Sequence, residues 1–483
     1  MKSISATATG KHLGTALHLT ILALALTACV SGPDYVPPSI STQEKFMHAG
    51  VGSAAGATDS AALETWWRGF NDPALTTIIE RVRQQNLDLD IAFARVQQAR
   101  ASANMSEAAL LPKGEAGLQT ASERQSLQSP IGILAKNFPG YQRNVTLYDS
   151  GVGASWEADL SGGLHRAKEA SVADEQATEA EQLGVRVMVQ ADAADAYFRL
   201  RGAQRRIELA LGQIKDDSDL LEIVNLRLKE GLSTRQEQAE AEARLAQIRA
   251  SVPPLRSELD MQLNRLDVLM GAQPGTRSAE LGASTAQIVT PAIAGTLQPK
   301  DLLSRRPDVI VAERRLAAAN ARIGMASSEY YPKFSLSAMI GFEGLNSAAW
   351  TANNFQPQAL TGIHWRLFDF GRVDAEVRQA KGAHAEALAR YRNAMLKATE
   401  EVENALSMQT QLAAERRELR SEVEADQRAR QASQDAYQGG VTGIMELLEQ
   451  DRQLLAARDQ YLIAETGAAR ATVATYRALG GGW

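Results

Sequence analysis

The sequence predicts a mainly α fold with a membrane β-barrel portion, built from one duplicated unit of helix, strand, strand, long helix and helix. Three observations predict it. First, Val373 to Gln438 contains no proline and one glycine, Gly382, and is rich in the strong helix formers Ala, Glu, Arg, Gln and Leu. Read as one helix, its roughly 66 residues span about 100 Å, whereas an ordinary globular helix has about 11 to 12 residues. Second, Leu164 to Lys229 is a twin of that stretch, and one common interval separates Trp156 from Trp365, Gly162 from Gly371 and Gly231 from Gly440. Third, two stretches alternate apolar and polar residues with the period of a strand. They lie between Pro112 and Trp156 and between Pro332 and Leu367.

Composition agrees with packed rods. Aromatics are 5 % of the 483 residues. Alanine is abundant, and small side chains let helices approach closely. The net charge of −6, from 51 basic and 57 acidic residues, argues against a nucleic-acid binder, which needs a basic face.

The N-terminus reads as a lipoprotein signal peptide over residues 1–28. Lys2 and Lys11 supply the basic region, Leu13 to Leu26 the apolar one, and Leu26-Thr27-Ala28-Cys29 is a lipobox. Cleavage before Cys29 leaves its thiol to carry diacylglycerol and its amino group an acyl chain. With no second cysteine, a disulfide within the chain is excluded. Val30, rather than Asp, after the cysteine points to the outer membrane. Beyond the leader, no stretch approaches the ~18 to 20 consecutive apolar residues of a membrane-spanning helix.

In chain order, residues 29–72 form a lipidated tether and an equatorial segment. Ser31 to Pro38 is extended, because proline removes donors and disfavours helix before it. Repeat 1 covers 73–270. Asp72 and Pro73 are its N-cap and first helical residue, and the helix they open runs to about Leu110. A β-hairpin over 113–158 follows, with Val152, Ala154 and Trp156 on one face. The long helix 164–229 carries a seam of small residues, Ala173, Ala177, Ala180, Gly184, Val187, Ala191, Ala194 and Phe198, spaced by fours and threes. The tip is 230–234, and a descending helix, kinked at Pro253-Pro254, ends near Met270. After a linker over 271–306, repeat 2 covers 307–478: helix, β-hairpin 333–368, long helix 373–438, tip 439–443 and final helix. In this hairpin Thr361, Ile363, Trp365 and Leu367 share one strand. Residues 479–483 are a tail.

Each repeat therefore supplies two strands with one apolar face, as membrane barrels do. Four strands cannot close a barrel, and an open edge is not tolerated in lipid. Several chains must combine, and three would supply about twelve strands. Catalytic and metal chemistry find no support. Among His12, His18, His48, His165, His364 and His384, no pair has the i, i+4 spacing of a helical metal site. No nucleophile–base constellation stands out. A purely structural coiled-coil lipoprotein of the periplasm would have no use for lipid-facing strands.

These landmarks resemble the TolC-like outer-membrane factors of tripartite efflux systems, and specifically their lipidated NodT-type branch. The carriers are Cys29 with Gly32-Pro33-Asp34-Tyr35, Trp66-Trp67 with Phe70, Asp72 and Pro73, and Arg305-Arg306-Pro307-Asp308. Tyr330-Tyr331-Pro332, Trp365 with Phe370-Gly371-Arg372, and the two glycine tips complete the set. The resemblance implies a homotrimer in which a twelve-stranded β-barrel is continued by an α-helical barrel. It implies an exit duct for drugs or other toxic small molecules, with a type I secretion-like export channel as the alternative. It also implies a periplasmic membrane-fusion (adaptor) protein and an inner-membrane transporter of RND type as partners, with outer-membrane lipid around the barrel. No cofactor is implied beyond the lipid on Cys29. The adaptor would dock on the tips at Gly231, Leu232, Gly440 and Val441. Glu237, Glu240, Glu446 and Glu449 would line a periplasmic constriction, and Tyr437 corresponds to a gate tyrosine. Where the family carries a gate arginine, this chain has Thr442. Trp156, Gly162, Trp365 and Gly371 mark the strand-to-helix junctions.

Overall fold

The computed structural model describes residues 31–39, 45–48, 63–276, 278–281, 288–291, 299 and 305–483. The signal peptide, Cys29 and most of the linker after Gly271 lie outside the described residues. After a 3-10 turn, Trp66–Phe70, the elements are α1 (Pro73–Gln85), α2 (Leu87–Ala108), β1 (Lys113–Arg124), α3 (Pro130–Ala135) and β2 (Asn144–Ala158). The first long helix, α4 (Gly163–Lys229), and α5 (Arg235–Leu269) follow. After a single helical turn, Ser278–Leu281, in the stretch read as a linker, come α6 (Pro307–Ser328), β3 (Lys333–Leu345) and β4 (Phe355–His364). The second long helix, α7 (Arg372–Gln438), and α8 (Ile444–Ala478) close the order. No described helix is long and apolar enough to cross a membrane.

The chain divides into two compact units. The first holds residues up to Pro38, Gln97–Ala177 and Glu313–Arg390. Its sheet is antiparallel throughout, in the order β1-β2-β3-β4. The register sorts side chains onto two faces, because residues directly opposite each other share a face. Ala116, Val152, Ile340 and Pro357 lie in one row, and Gly114, Ala154, Ala338 and Ala359 in another. Glu115, Gly153, Met339 and Gln358 form a row on the opposite, more polar face. On that face Gly117, Gly151 and Gly341 also stand in line. A Cβ on Gly341 would lie 2.8 Å from the Ser150 carbonyl oxygen, so the strands close up there as only glycine permits.

The second unit holds residues Ser39–Val96, Thr178–Ala312 and Tyr391–Trp483 and contains the main core. Trp66 stacks on Tyr476 at 5.4 Å, and Phe70 packs on Phe198 at 4.8 Å. Asp72 caps α1 by accepting from the amides of Ala74 and Leu75, and its other oxygen accepts from the Tyr197 hydroxyl at 2.5 Å. One carboxylate thus starts a helix and ties it to α4. The part of the α4 seam in this unit is buried at Ala180, Val187, Ala191, Ala194 and Phe198, and the part in the first unit at Ala173 and Ala177.

Three details differ from the sequence reading. The helix expected from Pro73 to Leu110 breaks at Asn86, which takes an extended ψ of 125°. The Asn86 side chain accepts from the amides of Asp88 and Leu89, so it restarts the helix, while its amide donates to the Leu269 carbonyl. β4 stops at His364, so Trp365 and Leu367 lie beyond it. The loop of the first hairpin contains the short helix α3, capped by Ser129 and started by Pro130.

Candidate functional site: two helix tips and two strand-to-helix junctions

Both tips end their long helices in the same way. At the first, Gly231 (φ +73°) follows α4. The Leu232 amide donates to the Arg227 carbonyl at 2.8 Å and the Gly231 amide to Leu228 at 3.1 Å. At the second, Gly440 (φ +71°) follows α7. The Val441 amide donates to Ala436 at 2.9 Å and the Gly440 amide to Tyr437 at 3.0 Å. This is the Schellman pattern, in which a left-handed glycine satisfies the last carbonyls of a helix. The residue after each glycine is apolar and open to solvent: Leu232 is 67 % exposed and Val441 81 %.

The helices leaving the tips start differently. α5 opens with a capping box: Thr234 Oγ1 accepts from the Glu237 amide at 3.1 Å, and Glu237 accepts from the Thr234 amide at 2.7 Å. Ser233 also donates to Glu237 at 2.5 Å. These donors hold the Glu237 carboxyl below the usual carboxylate range, the Ser233 hydroxyl contributing most. At the second tip the N-cap is Gly443, which has no side chain to offer, and the corresponding Glu446 is exposed. Glu240 accepts from Gln236 at 2.9 Å. Its counterpart Glu449 is held by Arg452, through contacts of 2.8 and 2.5 Å, and by Gln453 at 3.0 Å. Arg452 is the main cause that brings the Glu449 carboxyl down to about 2. The four glutamates thus fall into a cap, two side-chain-bonded carboxylates and an exposed charge.

Tyr437 joins the tips. Arg227 Nη1 donates to its hydroxyl at 2.7 Å, and the guanidinium carbon lies 5.9 Å from the ring centroid. Beneath them Val224, Ile444 and Leu448 are buried, with Leu220 and Tyr437 packed alongside. The Thr442 hydroxyl is buried with no hydrogen-bond partner among the described residues. Sequence reasoning passed over Arg227. A signal was available, since Arg227 and Tyr437 stand opposite Ala436 and Leu228 in the repeat, so both break the internal symmetry at adjacent positions.

The junctions are also duplicated. The Trp156 indole donates to the Leu110 carbonyl at 2.9 Å, and the Trp365 indole to the Tyr330 carbonyl at 3.0 Å. In both repeats a tryptophan near a strand end donates to a carbonyl two residues past the helix that leads into the hairpin. Gly162 (φ +75°) and Gly371 (φ +83°) then turn the chain into α4 and α7. At the second junction Asp369 accepts from the amides of Gly371 and Val373. Among the described residues no group of three or more His, Cys, Asp or Glu side chains could hold a metal ion.

The profile of the family described as outer membrane efflux protein matches residues 78–272 and 298–481. The chain belongs to that family. The pyoverdine export outer membrane protein OpmQ of Pseudomonas aeruginosa is 30% identical over 467 residues, which is 97% of each chain. Nodulation protein T of Rhizobium leguminosarum bv. trifolii is 28% identical, over 89% of this chain and 90% of its own. Among solved structures the outer-membrane channel OprN superposes with a TM-score of 0.84 at 32% identity, covering 94% of this chain and all of OprN. The TolC-like fold is thereby shown, and the protein is an efflux channel of the outer membrane.

Proposed function

We propose that this outer membrane efflux protein works as a homotrimer, the exit duct of a tripartite pump. It conducts small molecules passively, without catalysis, and opens at its helix tips when a periplasmic adaptor and an RND-type inner-membrane transporter engage. The observation that carries this reading is the sheet: four antiparallel strands with one consistent apolar face and two unpaired edges, at β1 and β4. Unpaired edges are costly in hydrocarbon, and closing β4 of one copy on β1 of the next removes them. The exposed Leu232 and Val441, side by side with positive-φ glycines, support adaptor docking at the tips. The lipobox at Cys29 supports a diacylglycerol and N-acyl anchor.

Light scattering on the protein in mild detergent tests the assembly, with a mass three times that of the chain expected. A folded monomer would sink the reading. Site-specific crosslinking from Val441, probed against the periplasmic partner, tests docking. Radiolabelled palmitate retained by Cys29→Ser would refute the anchor.

A further inference from the structure

Residues 31–35 lie in a cleft made from three parts of the first unit. The Ser31 amide donates to the Ser161 carbonyl at 3.1 Å, three residues past the end of β2. Arg166, in the first turn of α4 and only 3 % exposed, donates from Nε to the Ser31 carbonyl at 3.1 Å. Its Nη2 reaches the Gly32 carbonyl at 3.4 Å and Asp34 Oδ1 at 2.7 Å. From α6, Asn320, 6 % exposed, donates to the Pro33 carbonyl at 2.8 Å. The Tyr35 hydroxyl donates to Glu313 at 2.5 Å.

The fit leaves no room for side chains. Gly32 has φ +85°, and a Cβ there would lie 2.5 Å from the Gly324 Cα. A Cβ on Gly324 would lie 2.6 Å from the Ser31 carbonyl oxygen and 2.7 Å from Arg166 Cγ. Three successive carbonyls are read by buried donors, and a buried guanidinium is costly unless its donors are filled. The cleft is built for this stretch of backbone.

Its position gives it a use. Two peptide links separate Cys29 from Ser31, and two links reach at most about 7 to 8 Å from Cα to Cα. Ser31 is bonded to the turn between the membrane strand β2 and α4. In the same unit Trp156, Tyr331, Trp365, Phe368 and Phe370 stand exposed at the ends of the strands, where aromatic side chains mark a membrane–water interface.

We propose that this cleft is an anchor clasp: Arg166, Asn320 and Gly324 grip residues 31–35, so that an acyl group on Cys29 meets the phospholipid leaflet at the rim of the sheet. The proposal rests on the lipidation of Cys29 proposed above. Arg166 is then a positioning residue, and the short reach from Cys29 to the clasp makes anchor and sheet enter the bilayer together.

The test uses the full chain produced with its leader. Six Gly and Ser residues inserted between Val30 and Ser31 leave every clasp contact in place but free the anchor. Arg166→Met removes the grip. Mass spectrometry of the N-terminal peptide reads acylation, hydrogen exchange reads protection of residues 31–35, and the urea-resistant, membrane-inserted fraction reads assembly. With Cys29 acylated throughout, the insertion is expected to keep residues 31–35 protected yet lower the inserted fraction at least threefold. Arg166→Met is expected to lose both. An acylated insertion variant that inserts like the parent overturns the clasp and leaves lipidation standing. An unmodified Cys29 in the parent overturns the lipid reading itself.

Discussion

Arg227 and Tyr437 bind each other across the two tips, the guanidinium donating to the phenol at 2.7 Å while lying 5.9 Å from the ring centroid. One residue ends α4 and the other ends α7, so the bond couples the last turns of the two long helices. It is also the place where the duplicated tips are least alike. The first tip is tied by a capping box and the second starts at a bare Gly443. For the opening at the tips proposed above, the second tip is expected to yield first, with the Arg227–Tyr437 bond as its latch.

A charge-assisted hydrogen bond contributes about 1.5 to 3 kcal/mol. Tyr437→Phe keeps the ring and removes the bond. It is expected to raise the open fraction about tenfold, the equivalent of roughly 1.4 kcal/mol. Arg227→Ala, which also removes the ring contact, should do at least as much. Single-channel recording in planar bilayers checks both, and an unchanged open probability in the two variants would count against a latch.

Glu449 stands in a paired state, and Glu446 does not. In a threefold assembly rings of bare carboxylate favour cations. Glu446→Gln is thus expected to weaken cation preference more than Glu449→Gln does. Arg452→Ala, which strips Glu449 of its main partner, should strengthen it. Reversal potentials in a salt gradient measure all three, and equal effects of the two glutamate variants would refute the distinction.

Glu237 titrates with the first tip. Its folded carboxyl is held below its ordinary value by Ser233 and Thr234. A depressed acid stabilises the fold above the ordinary range, near pH 4.3, and that contribution is lost as pH falls through the lowered value. Acidification below about pH 4 should loosen the first tip. Thr234→Ala should cost about 1 kcal/mol at neutral pH by removing the cap. Hydrogen exchange of the Glu237 and Gln238 amides follows both, and protection that does not change with pH would show that the box is idle.

The junction tryptophans each hold the turn that follows a neighbouring helix. Trp365→Phe keeps most of the apolar ring but leaves the Tyr330 carbonyl without its donor, at a cost of about 1 kcal/mol. Trp156→Phe should cost a similar amount through Leu110. Thermal unfolding in detergent reads each, and additivity in the double variant would show that the two repeats are held independently.

Much of this was legible in the chain. Both long helices announced themselves by composition and by the missing prolines, and the strands by alternation. The tips were legible because a glycine after a long helical run has few other uses. Even the duplicated indole positions stood in the sequence as Trp156 and Trp365, although their hydrogen bonds did not. The break at Asn86 was hidden, since asparagine serves in helices and caps alike and only the Leu269 carbonyl decides between them. The end of β4 at His364 was hidden as well, because the alternation of Trp365 and Leu367 continues past the last ladder bond.

The sequence by itself determined the repeat, the helix lengths, the two faces of the strands and the positive-φ glycines, because these follow from local propensity and from period. The capping of Glu237 and the pairing of Glu449 are local as well, with partners three or four residues away, and so lay within reach of the sequence. Only in the tertiary structure did Arg227 meet Tyr437 and Arg166 close on residues 31–34. Those outcomes depend on which groups from distant stretches come within hydrogen-bond reach, and spacing along one chain does not encode that distance.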